Sequence, residues 1–174
     1  AERRSPRSLD GAAEISKEDL LGILEAARWA PSANNLQPWR LIAGKRDDSN
    51  FTALLECLVP FNQSWSKRAA AFIAIAGTPT QADGTVIPTF MYDCGLAAAQ
   101  LTIEAHHRGY VVHQMAGFDH EKAAPLFNGA APIVIMAIGK QAPADQLEGP
   151  AYDREIAPRT RKALSEIVIA GLPD

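Results

Sequence analysis

Apolar and polar positions follow two periods along the chain, and the switches between them outline its elements. Leu20, Ile23, Leu24 and Ala27 recur at helical spacing, which predicts one buried stripe of an amphipathic helix. Ser16 is placed to cap that helix, Asp19 stands at N3 for a capping box, and Ile15 with Leu20 fill the staple positions. Pro31 stops it, because proline lacks an N–H and disfavours helical geometry at Ala30. A strand from Arg40 to Gly44 follows, then a short helix capped by Asp48 or Ser49 with Phe51, Leu54, Leu55 and Leu58 inward. Ala70–Gly77 (AAFIAIAG) and Pro132–Gly139 (PIVIMAIG) are unbroken apolar runs, short enough for buried strands. Pro79, Asp83-Gly84 and Pro88 make Thr78–Pro88 a loop. The longest helical segment, Thr89–Arg108, is rich in alanine and leucine and spans ~30 Å, enough to cross a domain as its central helix. Gly109 ends it, Tyr110–Met115 reads as a further strand, and Asp119 caps a short helix through Leu126.

This order predicts one α+β domain over residues 1–174, a mixed central sheet packed with helices around the long one. Residues Gln141–Arg161 are polar and carry prolines, so they read as an exposed arm. A chain of 174 residues buries roughly 70% of the surface its unfolded form exposes, so a real core is available. The net charge of −3, with no basic stripe beyond local arginines, argues against nucleic acid as the main partner. Cys57 and Cys94 are isolated and read as small core residues of a reduced, cytoplasmic chain. The charged N-terminus lacks a signal-peptide pattern, and no apolar run nears the ~20 residues that cross a bilayer, so no membrane partner is expected. His106, His107, His113 and His120 lack metal-ligand spacing, and no metal site is expected. Dinucleotide-fold, Walker and nucleophile-elbow motifs are likewise missing from the sequence.

Three segments carry candidate chemistry. Arg3, Arg4, Ser5 and Arg7 offer fork-shaped cations and a hydroxyl, the set a phosphate monoester wants; the competing reading is a frayed basic terminus. Arg159 and Arg161 repeat the cationic signal near the other end. Between them lies Pro31-Ser32-Ala33-Asn34-Asn35-Leu36-Gln37-Pro38-Trp39. Two prolines fix its path, Ser32 and Ala33 leave backbone N–H groups open to close approach, and Asn35 and Gln37 supply amides that suit a ring with alternating donors and acceptors. Trp39, opening a strand, reads as core or interface. The plain alternative is a helix-to-strand connector rich in turn formers.

With these motifs the chain resembles the FMN-dependent nitroreductase family, from Arg3 to Val168. The Arg-Arg-Ser-x-Arg start, the Ala-Pro-Ser-x-x-Asn-x-Gln-Pro-Trp loop and the C-terminal basic pair carry the likeness, the loop most specifically. The resemblance implies an interlocked homodimer with FMN at its interface. Arg3, Arg4, Ser5 and Arg7, with Arg159 and Arg161, would hold the phosphate and ribityl chain. Pro31, Ser32, Ala33, Asn35 and Gln37 would reach the same flavin from the partner subunit. Asn62 would meet the pyrimidine edge, although it reads equally as a helix N-cap before Trp65. Gln114, Met115, Ala116 and Gly117 would present backbone N–H groups to N5 and O4, with Gly117 allowing close approach and unusual dihedrals.

The implied activity is transfer of hydride from NADH or NADPH through FMN to a small-molecule acceptor, a nitroaromatic, quinone or enal, in ping-pong fashion. Because the flavin N5 carries the chemistry, no side chain need act as an obligatory acid or base. The alternative is a relative without a nicotinamide cycle that sequesters FMN, dehalogenates, or fragments the flavin. The short Thr78–Pro88 loop, and Trp65 where some relatives carry lysine, bear on which acceptor fits.

Overall fold

The computed structural model describes residues 2–171, so residues 1 and 172–174 of the expected domain lie outside it. Four strands, β1 (Trp39–Lys45), β2 (Ala71–Gly77), β3 (Val111–Met115) and β4 (Ala131–Gly139), form one sheet in the order β1-β2-β4-β3. Alternate residues of each strand point to opposite faces. Phe72, Ala74, Ala76, Ile135 and Ala137 therefore join one apolar cluster, and Ala71, Ile73, Ile75, Met136 and Ile138 another. Both faces are covered, which is why β2 and β4 read as unbroken apolar runs.

Helices α1 (Lys17–Arg28) and α4 (Phe90–His107) cover the second face through Ile23, Ala27, Cys94, Ala97, Leu101 and Ala105. Helices α2 (Ser49–Cys57), α3 (Pro60–Ser66), α5 (His120–Ala123) and α6 (Gly149–Ile156) lie on the first, with Phe51, Leu54, Trp65, Ala123 and Ala151 buried. A last short helix, α7 (Leu164–Ile167), sits in the C-terminal arm.

All three strand pairings are antiparallel, which corrects the expectation of a mixed sheet. The β2–α4–β3 crossover does send β2 and β3 in the same direction. However, β4 occupies the place between them and runs against both. The expected capping box is half formed. Ser16 Oγ accepts from Asp19 N at 2.9 Å, but the Asp19 carboxylate accepts from Tyr110 Oη (2.9 Å) and Arg108 Nη1 (3.1 Å) and so ties α1 to the end of α4. Asp48, not Ser49, caps α2. The short helix after Asp119 becomes a 3-10 turn at Ala124–Phe127. Residues 149–156 of the expected arm fold as α6, with Ala151 and Glu155 buried.

Both cysteines are free and buried, and burial pushes their thiols up, Cys94 to about 11. They are therefore core residues with little thiolate character. Gly44 in β1 lies under α2, where a Cβ would overlap Phe51 N and stand 2.7 Å from Asn50 C. Because backbone cannot swing aside as a side chain can, Gly44→Ala is expected to cost roughly 2–3 kcal/mol. Urea unfolding of the variant measures it, and an unchanged midpoint would contradict the close approach.

Candidate functional site

The arginines from the two ends of the chain converge. Arg3, Arg4 and Ser5 line one cleft with Arg154, Ala157, Pro158, Arg159, Thr160 and Arg161, a space of about 310 Å³. Only cations and neutral groups appear in that lining, so the cleft attracts anions. Arg159 Nη1 donates to the Arg3 carbonyl at 2.7 Å, which stitches the two segments together. Arg3 Nη1 donates to Ser5 Oγ at 3.3 Å, and Arg161 Nη1 to the Thr160 carbonyl at 2.7 Å.

Arg7 lies deeper. Its guanidinium pKa is lowered chiefly by burial, then by the nearby Arg154 cation, with Glu155 opposing. Its Nε is buried with no hydrogen-bond partner. A buried N–H left unmatched costs about 1–3 kcal/mol, and a cationic one more, so this donor fits an anionic acceptor.

Pro6 is buried against β3, where its carbonyl accepts from His113 Nδ1 at 3.1 Å. Burial and then the Arg7 charge push the His113 imidazole down to about 4, so it is neutral at ordinary pH. Its ring packs on Trp65, with centroids 4.6 Å apart. Arg154 stacks over Phe61 at 4.9 Å, beside Asn62. These contacts link the arginine side of the molecule through α3 to β3.

Just beyond β3, Asn62 and Gly117 meet: Asn62 Nδ2 donates to the Gly117 carbonyl at 2.9 Å. Asn62 is not an N-cap, because Val59 holds that position and Pro60 opens α3. A Cβ on Gly117 would stand 2.8 Å from Asn62 Nδ2 and 3.3 Å from Val59 Cγ2. A side chain there would displace the Asn62 amide and press on Val59. The unusual dihedrals expected there are absent, since its φ is outside the left-handed region. Gln114 turns to the other face of the sheet and donates to Thr102 Oγ1 at 3.0 Å. Met115 is buried and Ala116 exposed.

The amide loop stands elsewhere. Ser32 Oγ accepts from Gln37 N at 3.0 Å, and Gln37 Nε2 donates to Asn35 Oδ1 at 3.1 Å. Asn34, Asn35 and Gln37 all have positive φ, near +50°. Asparagine tolerates that region, but for Gln37 it stores about 1–3 kcal/mol, as ligand loops often do. The Ala33 N–H donates to the buried Asp93 carboxylate (3.3 Å) in the first turn of α4. The loop therefore belongs to the α1/α4 face at the β1 edge, and the arginines to the α3/α6 side at the β3 edge. Three strand spacings of ~4.8 Å and a packed sheet separate them within one chain.

Sequence reasoning missed Arg154, Glu155, His113 and Asp93. Gly149-Pro150 followed by Ala151, Tyr152 and Ile156 was a readable helix start for the first two. His113 and Asp93 gave no local signal, for their roles arise from tertiary neighbours. Among the described residues no His, Cys, Asp and Glu group suits a metal, and no helix is long and apolar enough to cross a membrane.

The profile described as "Nitroreductase family" matches residues 1–56. The Bacillus subtilis protein "Putative NAD(P)H nitroreductase YdgI" is 30% identical, with 80% of this chain and 85% of that protein covered. The "CLA biosynthesis enone reductase" of Lactiplantibacillus plantarum is 25% identical, with 80% and 82% covered. A crystal structure described as an oxidoreductase containing FMN superimposes with a TM-score of 0.89 at 32% identity, over 98% of this chain and 88% of that one. Fold and relatives together define an oxidoreductase. The chain belongs to the nitroreductase family.

The depressed His113 pKa has a consequence for stability. Between about pH 6.5 and about 4 the unfolded chain binds a proton at this ring that the folded chain refuses. Stability should therefore fall as pH drops through that window, by up to roughly 3 kcal/mol, less the screening of a half-buried ring. In His113→Asn, urea midpoints measured across the window are expected to vary less with pH. An identical slope in variant and parent would remove His113 as the cause.

Proposed function

We propose that this protein is an FMN-dependent NAD(P)H oxidoreductase that passes hydride to a small acceptor, a nitroaromatic, quinone or enal, in ping-pong order. The observation that carries this reading is the convergence of both arginine segments on one cleft, with the buried, unpartnered Arg7 Nε set deeper and close to Arg154 of its lining. The residues present fit the cofactor. A phosphate dianion suits the carboxylate-free cleft, with its guanidinium donors and the Ser5 hydroxyl. FMN, when bound, supplies a ring that takes hydride from NADH or NADPH and gives it to the acceptor.

The chain's own residues bind and orient. Arg3, Arg4, Arg7, Arg159 and Arg161, with Ser5, hold the phosphate and the adjoining ribityl chain. Asn62 and the 114–117 backbone face the ring edge, and no side chain serves as an obligatory acid or base. The enone reductase among the relatives supports a conjugated carbonyl as one acceptor class.

A homodimer completes the site in this reading. Ser32, Ala33, Asn35 and Gln37 of one copy reach the flavin held by the arginines of the other, since one chain keeps them on opposite sides of its sheet. The loop is ringed by exposed Trp29 (72%), Tyr92 (70%) and Met91, and the arm beyond α6 exposes Leu164, Ile167 and Ile169. Exposed apolar side chains at both places suit burial against a second copy.

Arg7→Ala is expected to weaken FMN binding by about 1.5–3 kcal/mol, the range for hydrogen bonds to charged groups. Flavin fluorescence titration reads this, and unchanged affinity would remove Arg7 from the site. Stopped-flow mixing of the flavin-loaded protein with NADH and NADPH should bleach its absorbance. A flavin that stays oxidised with both donors would favour FMN sequestration or another non-nicotinamide role. Sedimentation should give twice the 18.7 kDa of one chain. A monomer that holds flavin would contradict the shared site.

A further inference from the structure

A buried carboxylate stands directly behind the arginine cleft, where an acid weakens anion binding by simple charge. Glu155 is 5% exposed and does not line the cleft. Its Oε2 accepts from the Arg7 backbone N–H at 2.6 Å. Its own carbonyl, in the last turn of α6, accepts from Arg4 Nη2 at 2.7 Å. That carbonyl has no partner within the helix, and a guanidinium there also complements the helix dipole. From the other side, His113 Nδ1 donates to the Pro6 carbonyl at 3.1 Å. Residues 4–7 are thus gripped at three successive points by two elements more than a hundred residues away.

We propose that Glu155 is a positioning residue, which fixes the backbone of the Arg4–Arg7 segment so that its guanidinium groups meet the cofactor phosphate in one arrangement. The inference rests on the flavin reading above. Its geometry has a sign that charge alone does not. If Glu155 acted through its charge, neutralising it would matter most. If it acts through the reach of its oxygen to Arg7 N, shortening it would matter most. Glutamine keeps an acceptor oxygen at the same reach without the charge, whereas aspartate keeps the charge and loses one methylene of reach.

The test compares Glu155→Gln and Glu155→Asp with the parent by two measurements. One is hydrogen–deuterium exchange of residues 3–8 in the flavin-free protein; the other is FMN affinity by fluorescence titration. Glu155→Asp is expected to speed exchange in that segment and weaken FMN about tenfold, one decade of Kd. Glu155→Gln is expected to keep segment protection and to bind FMN as well as the parent or more tightly. Equal losses in both variants, or a loss confined to Glu155→Gln, would overturn the positional role. So would an aspartate variant with parental exchange and parental affinity. If the parent itself takes up no FMN, the flavin reading fails, and exchange alone decides whether Glu155 holds the segment.

Discussion

Five like charges around one small space, with a sixth, Arg7, set deeper, cannot be gathered unless something other than their side chains holds them there. Arg3, Arg4, Arg7, Arg154, Arg159 and Arg161 repel one another, by ~1 kcal/mol per pair at 4 Å in water and several times that where solvent is thin. The fold meets this by anchoring backbone. Carbonyls of Arg3, Thr160 and Glu155 accept from the guanidinium groups, and β3 and α6 pin the segment between Arg4 and Ser8. The cationic cleft is therefore a product of the scaffold, and its repulsion is released when an anion enters.

The elements of the sheet were legible because each strand is a local object. Alternation across two covered faces turns β2 and β4 into apolar runs that no loop would carry. What the chain does not display is the order in which strands pair. A strand, a crossover helix and a strand look the same whether the two strands adjoin or another slips between them. Here β4, the last of the four in the sequence, takes the inner place, and the parallel pairing never forms. Helix α6 escaped notice for a related reason. It is short, its buried side is Ala151 and Glu155, and neither adds to an apolar stripe.

The candidate site divides in the same way. Motif residues such as Arg3, Arg7, Asn35 and Arg161 could be named from the sequence, because phosphate and amide recognition restrict residue type. Asn62 and Gly117 could be named singly, but not their contact, which depends on α3 folding back over the end of β3. Asp93 and His113 were invisible, and for Glu155 only its helix could be read: each is an ordinary polar residue on a helix or strand. Each gains its role from a backbone atom far along the chain, Ala33 N, Pro6 O and Arg7 N.

The separation of the amide loop from the arginine segment is rigid, since both are built onto the margins of the same packed sheet. No breathing of a loop closes a gap set by the width of a hydrophobic interior. In the proposed shared site, contact of both with one ligand is therefore a matter of mass action between copies of the chain. In that reading cofactor retention shares its concentration dependence with self-association, and dilution loosens both together.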